Sequence, residues 1–159
     1  MKVMIVDDES LALSRLKRLL NENGIEDITA FDNPIEALKE ITKTRFDAVF
    51  LDISMPNITG LELADSIMQI EPKTFIVFQT AYEEFALEAF KNGGMGYLVK
   101  PIDSKDMKTI LDKIKSFRIT SLDESKKILG KRGDKLYLID INDIYYIKAD
   151  LDEVIVKIK

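Results

Sequence analysis

FDAVFLDISMP, residues 46–56, holds a short apolar run from Ala48 to Leu51 that ends on Asp52 and passes into a turn containing Pro56. A run that brief and unbroken reads as a strand buried on both faces, since a strand with one wet face alternates apolar and polar residues. Such strands belong to parallel sheets, whose crossover connections lay helices over both sides. Working outward, the pattern recurs: Val3 to Val6 precedes Asp7 and Asp8, and Ile28 to Phe31, Phe75 to Phe78 and Tyr97 to Val99 are further short runs. Between them lie segments of helical period. Leu11, Leu13, Leu16, Leu19 and Leu20 follow Ser10; Ile35, Leu38 and Ile41 follow Pro34, with Asp32 or Asn33 as cap. Leu61, Leu63, Ala64, Ile67, Met68 and Ile70 run up to a stop at Glu71-Pro72. A helix from Glu83 to Lys91 and another, capped by Asp103 and reaching about Ser116, complete a βα unit repeated five times. The expected fold is α/β: a doubly wound five-stranded parallel sheet followed by a short β segment.

Composition narrows the chemistry. A length of 159 residues suits one domain of ordinary size with a small appendage, and 46% hydrophobic with 32% charged residues excludes a disordered or collagen-like chain. There is no cysteine and no histidine, which removes disulfides, thiolate zinc sites, histidine-based hydrolase triads and phosphohistidine chemistry on this chain. Carboxylates, hydroxyls and lysines must carry whatever chemistry exists. The opening MKVMIVDDES is too short in apolar residues for a signal peptide and reads as a strand; no run suits a membrane span, so a cytoplasmic location is expected. Residues 1 to 116 carry 14 basic and 20 acidic side chains, and residues 117 to 159 carry 9 and 8. Neither part is the strongly basic surface of an autonomous nucleic-acid binder.

Right-handed crossovers bring every carboxyl end of a parallel sheet to one edge, where ligands bind. Asp7 and Asp8 follow the first strand, Asp52 ends the third, Thr80 the fourth and Lys100 the fifth. Converging carboxylates repel one another unless a cation sits among them, and a hard divalent ion, best Mg2+, resolves this while leaving positions for phosphate oxygens. A carboxylate oxygen of Asp52 could then attack a phosphoryl group in line, with Lys100 neutralising charge and Thr80 donating to the product. Taken singly, each residue has a plainer reading: an Asp at a strand end as a helix cap, Thr80 as a strand-end hydroxyl, Lys100 as a solvated charge.

VDDE at Val6 to Glu9, LDISMP at Leu51 to Pro56, TAY at Thr80 to Tyr82 and YLVKP at Tyr97 to Pro101 together resemble the response regulator receiver family, across residues 1 to 118. The resemblance implies a flavodoxin-like fold with Asp52 as phosphoacceptor. Mg2+ would be held by Asp7, Asp8, Asp52 and the backbone carbonyl of Ser54, and Lys100 would contact the phosphoryl group. It further implies a cis bond between Lys100 and Pro101, a switch pair of Thr80 and Tyr97, and a sensor histidine kinase as donor. The face over roughly Glu83 to Ser116 is a homodimer surface in that family, which makes Phe85, Leu87, Ala89 and Phe90 candidates; a helix of that length must also bury a face in its own core. Ser54 and Tyr82 flank the expected phosphoryl site and would bear on its lifetime through water access.

Residues 119 to 127 lose apolar periodicity and read as a linker or a helical extension. From 128 to 159, strands at Leu136 to Ile139, Ile144 to Ile147 and Val154 to Ile158 are expected. The run KLYLIDINDIYYIKAD within this segment resembles the opening of a LytTR-type DNA-binding domain, without that family's principal DNA-contacting loops. DNA binding is therefore expected only of a longer chain with a complete LytTR domain; a plain β-ribbon is the alternative for the tail. For the whole chain, two other readings compete. One is a receiver-like scaffold that works by protein contacts alone. The other is a haloacid-dehalogenase-like phosphatase, which would require a second Asp where Ser54 stands, so no turnover of an external substrate is expected.

Overall fold

Helices of two amphipathic pairs sandwich five parallel strands, because the strands are apolar on both sides while each helix is apolar on one. The computed structural model describes residues 1–85, 95–123, 127–132, 135–140, 144–150 and 153–158. Strands β1 (Lys2–Val6), β2 (Asp27–Phe31), β3 (Ala48–Asp52), β4 (Phe75–Thr80) and β5 (Gly96–Val99) lie in the order β2-β1-β3-β4-β5, all parallel. β3 and β4 are buried along their whole length, whereas β2, at an edge, carries polar residues.

Side-chain alternation divides the core in two. Met4, Val6, Val49, Leu51, Ile76 and Phe78 pack with helices α2 (Pro34–Ile41) and α3 (Gly60–Ile70). Val3, Ile5, Phe50, Phe75, Val77 and Leu98 pack with α1 (Ser10–Glu22) and α4 (Ser104–Asp123) on the other face. The caps follow local chemistry. Asn33, not Asp32, accepts from the Ile35 amide ahead of Pro34, Thr59 and Glu62 form a reciprocal capping box on α3, and Asp103 accepts from the Asp106 amide. Gly24, with φ 84°, closes the turn after α1.

Three expected core positions turn outward: Leu11, Ile35 and Ile70 are exposed. In each helix a different stripe defines the buried face: Leu16 and Leu20 in α1, Pro34, Ala37 and Ile41 in α2, and Leu63, Ala64 and Ile67 in α3. Leu11 and Ile35 sit more than a quarter turn off that stripe, whereas Ile70 is in line with Leu63 and is exposed as the last residue of α3.

Of the helix expected from Glu83 to Lys91, Glu83–Phe85 is a 3-10 turn, and Leu87, Ala89 and Phe90 lie outside the described residues. α4 continues to Asp123, beyond the expected end near Ser116, so the helical extension holds over residues 119 to 123; no Gly or Pro interrupts it. The chain divides into two compact units, Met1–Phe117 and Arg118–Lys159. Among its described residues the second contains four strands where three were expected: β6 (Lys127–Arg132) pairs antiparallel with β7 (Lys135–Asp140), and β8 (Ile144–Asp150) with β9 (Glu153–Ile158).

Candidate functional site

The strand order reverses between β1 and β3, and the crevice outside their carboxyl ends is where an open parallel sheet binds ligands. Asp7 leaves β1 there and Asp52 ends β3. One carboxylate oxygen from each of Asp7, Asp8 and Asp52 lies within 4.8 Å of the others; Asp7 and Asp52 are buried and Asp8 is exposed. This is a set of hard oxygen donors with one open side, and it fits a divalent cation such as Mg2+ that keeps part of its water shell.

Lys100, just past the end of β5, supplies the counter-charge. Its Nζ lies 2.7 Å from Asp7 Oδ2 and 3.5 Å from Asp52 Oδ1. Asp7 also accepts from the Glu9 amide at 3.0 Å, which fixes its carboxylate against the start of α1. Burial pushes the Asp52 carboxyl up to about 6; Lys100 opposes this and the charges of Asp7 and Asp8 add to it. For Lys100, burial pulls the ammonium down, but its hydrogen bond to Asp7 and the charge of Asp52 outweigh that and hold it above the usual lysine range. One ammonium, paired with Asp7 and Asp52, thus stands beside a group of three carboxylates, an arrangement that favours a cation.

The remaining expected residues sit around this group. The Lys100–Pro101 bond is cis. Ser54 is exposed in the turn after β3, which is closed by the Met55 and Gly60 amides donating to the Ile53 carbonyl. Thr80 is buried at the end of β4, and its hydroxyl accepts from the Tyr82 amide at 3.3 Å instead of contacting the carboxylates. The Tyr97 hydroxyl donates to the Tyr82 carbonyl, so Tyr82 links Thr80 and Tyr97 through its own two backbone groups. Burial, with Glu84 and Glu83 nearby, pushes the Tyr97 phenol up.

Two residues escape the sequence reading. Gly60 opens α3 directly against the end of β3: a Cβ there would stand 2.1 Å from the Asp52 carbonyl oxygen. Its only sequence signal is a glycine in the first turn of a helical pattern. Gln79, the register partner of Asp52 across β3 and β4, is 2% exposed, a polar residue in a strand otherwise apolar up to Thr80.

Residues 3–112 match the family model described as the response regulator receiver domain. The transcriptional regulatory protein YpdB of Escherichia coli is 36% identical over 94% of this chain and 66% of its own length. BtsR of Salmonella typhimurium, also a transcriptional regulatory protein, is 34% identical over 98% of this chain and 68% of its own. The chain thus spans about two thirds of the length of these curated relatives. Among solved structures, the response regulator TrrA of Thermotoga maritima, in complex with Mg(2+)-BeF, superposes with a TM-score of 0.66 at 35% identity, over 72% of this chain and 99% of that one. Among the described residues no helix is long and apolar enough to cross a membrane.

Proposed function

From the premise that this chain belongs to the response regulator receiver family, we propose that it is a two-component switch thrown by phosphorylation of Asp52. The observation that carries the reading is the convergence of the Asp7, Asp8 and Asp52 carboxylates within 4.8 Å, with Lys100 against them. Asp7, Asp8, Asp52 and the Ser54 carbonyl would hold Mg2+. Bound there, the ion offsets the mutual repulsion of the carboxylates and draws charge from the phosphoryl oxygens.

The chain's own groups do the rest. An Asp52 carboxylate oxygen attacks phosphorus in line, and the bond to the donor breaks on the opposite side. With a sensor histidine kinase as donor, that is the P–N bond of its phosphohistidine, and the imidazole leaves. Lys100, held by Asp7, neutralises a phosphoryl oxygen. Thr80 exchanges its bond with the Tyr82 amide for one to the phosphoryl group, and because Tyr82 also accepts from Tyr97, that exchange loosens the ring of Tyr97.

The consequence is read on the face over Glu83 to Ser116, through homodimerisation. Residues 128–159 would be the opening of a LytTR-like output module, and control of transcription, in the cytoplasm, would belong to a longer chain that carries the complete domain. A phosphoryl mimic that left the mass in solution unchanged would count against dimerisation. For the central reading, the chain is incubated with Mg2+ and a small phosphoryl donor and weighed intact. The expected result is one phosphoryl adduct that Asp52→Asn loses; an adduct that survives Asp52→Asn, or none on the native chain, removes the proposal.

A further inference from the structure

The Gln79 side-chain amide is a buried donor with no acceptor: Nε2 is inaccessible to solvent and makes no hydrogen bond. Such a group costs stability unless something takes it up, and it needs a physical account. Alternation supplies its surroundings. Phe75 and Val77 on β4 share the α1 and α4 face of the sheet with Val3 and Ile5, Phe50, and Leu98. Two residues further along each strand, that face carries Asp7 after Ile5, Asp52 after Phe50, Gln79 after Val77 and Lys100 after Leu98.

Gln79 is therefore on the same face as the whole charged group and directly beside its nucleophile. It pairs in register with Asp52, and its carbonyl accepts from the Ile53 amide at 3.2 Å, which ties the two strand ends together. Asp52 has the complementary deficit. Among the described residues its carboxylate has one side-chain donor, Lys100 at 3.5 Å, and that ammonium is held closer by Asp7. A buried carboxylate with a distant donor and a buried donor without an acceptor belong to register partners on adjacent strands, whose backbones run about 4.8 Å apart.

We propose that Gln79 is a positioning residue for phosphoryl transfer, its amide turning to the Asp52 side chain when the site is filled, so that the attacking oxygen is held toward the donor. This rests on Asp52 being the phosphoacceptor. The amide makes no bond to phosphorus and enters no covalent step; it acts by restricting the rotamer of Asp52.

The test uses the full chain. Gln79 and Gln69 are the only glutamines, so the Gln79 side-chain NH2 is assignable in 1H–15N spectra by comparison with Gln79→Met. On adding Mg2+ and beryllofluoride to the native chain, one Gln79 amide proton should shift, and its exchange with water should slow about tenfold; neither should occur in Asp52→Asn. Gln79→Met, of similar length and without the donor, should gain the phosphoryl adduct about tenfold more slowly while its thermal midpoint stays level or rises. A role in packing alone predicts the opposite split, with a lowered midpoint and an unchanged rate. A native rate in Gln79→Met, or an amide signal identical with and without beryllofluoride, overturns the assignment. Absence of any adduct on the native chain is a different failure, that of Asp52 as phosphoacceptor.

Discussion

The two ends of the five-stranded sheet treat polar groups in opposite ways. At the amino edge they close into short local pairs: the Lys2 amide donates to Asp47 at 2.6 Å, and the backbone of Asp47 bonds in turn to Lys2 and Phe75. The buried Thr74 hydroxyl there donates to the Phe46 carbonyl at 3.1 Å. At the carboxyl edge two of the three clustered carboxylates, Asp7 and Asp52, share one ammonium, Asp52 is pushed up to about 6, and the Gln79 amide has no acceptor. The first arrangement holds strands together, and the second holds charge that favours a ligand over the folded state alone. Stability and function are thus separated along the strand axis by the length of five or six residues.

The largest effect expected from this contrast is on pH dependence. Asp52 binds its proton more tightly folded, about 6 against 3.8, so the metal-free fold loses stability as pH rises through that window. At 1.36 kcal/mol per unit the loss approaches about 3 kcal/mol above pH 6. Asp52→Asn should remove it. The difference in unfolding free energy, variant minus native, should therefore grow between pH 4 and 6 and level off above, and Mg2+ should shrink it by stabilising only the native chain. Chemical denaturation at stepped pH measures this; parallel curves for the two proteins would break the contrast between the edges.

Gly60→Ala should have the next largest effect, because the added methyl meets backbone and not a side chain that can swing away. Relief requires α3 or the end of β3 to shift, at about 2 kcal/mol, and that shift moves Asp52 relative to Asp7. Slower adduct formation should accompany the lowered midpoint. An alanine variant with native stability and native rate would show that the close approach of α3 is not needed.

The chain's letters disclose these features unevenly. Ala48 to Leu51 is legible as a buried parallel strand because both faces demand apolar residues, and the acids and the lysine are legible because strand ends in such sheets meet at one edge. Leu11, Ile35 and Ile70 are misleading, since a leucine or isoleucine near the apolar stripe fits the helical period while pointing to solvent. Gly60 and Gln79 are illegible for another reason: each matters through Asp52 on a different element, by its carbonyl in one case and its side chain in the other. In the second unit, KILGKR lacks alternation because Gly130 and flanking cations interrupt it, and pairing with Lys135–Asp140 makes it a strand. The likeness to a LytTR opening rests on the run KLYLIDINDIYYIKAD alone, whereas the relatives' names speak only of transcriptional regulation.

The smallest expected effect lies at the other end of the sheet and is the sharper test of separation. Thr74→Val keeps the shape of a fully buried side chain and removes the hydroxyl that serves the Phe46 carbonyl. Leaving that carbonyl without its donor should cost about 1 kcal/mol. Because Thr74 precedes β4 and Thr80 ends it, the loss falls a full strand away from the carboxylates, whose contacts with Lys100 do not pass through Phe46 or Thr74. Adduct formation on Asp52 should therefore proceed at the native rate below the unfolding transition, with an unchanged dependence on Mg2+. A slowed rate at equal folded fraction would mean that bracing at the amino edge is transmitted along β3 or β4 to the nucleophile, and the two ends would have to be treated as one cooperative device.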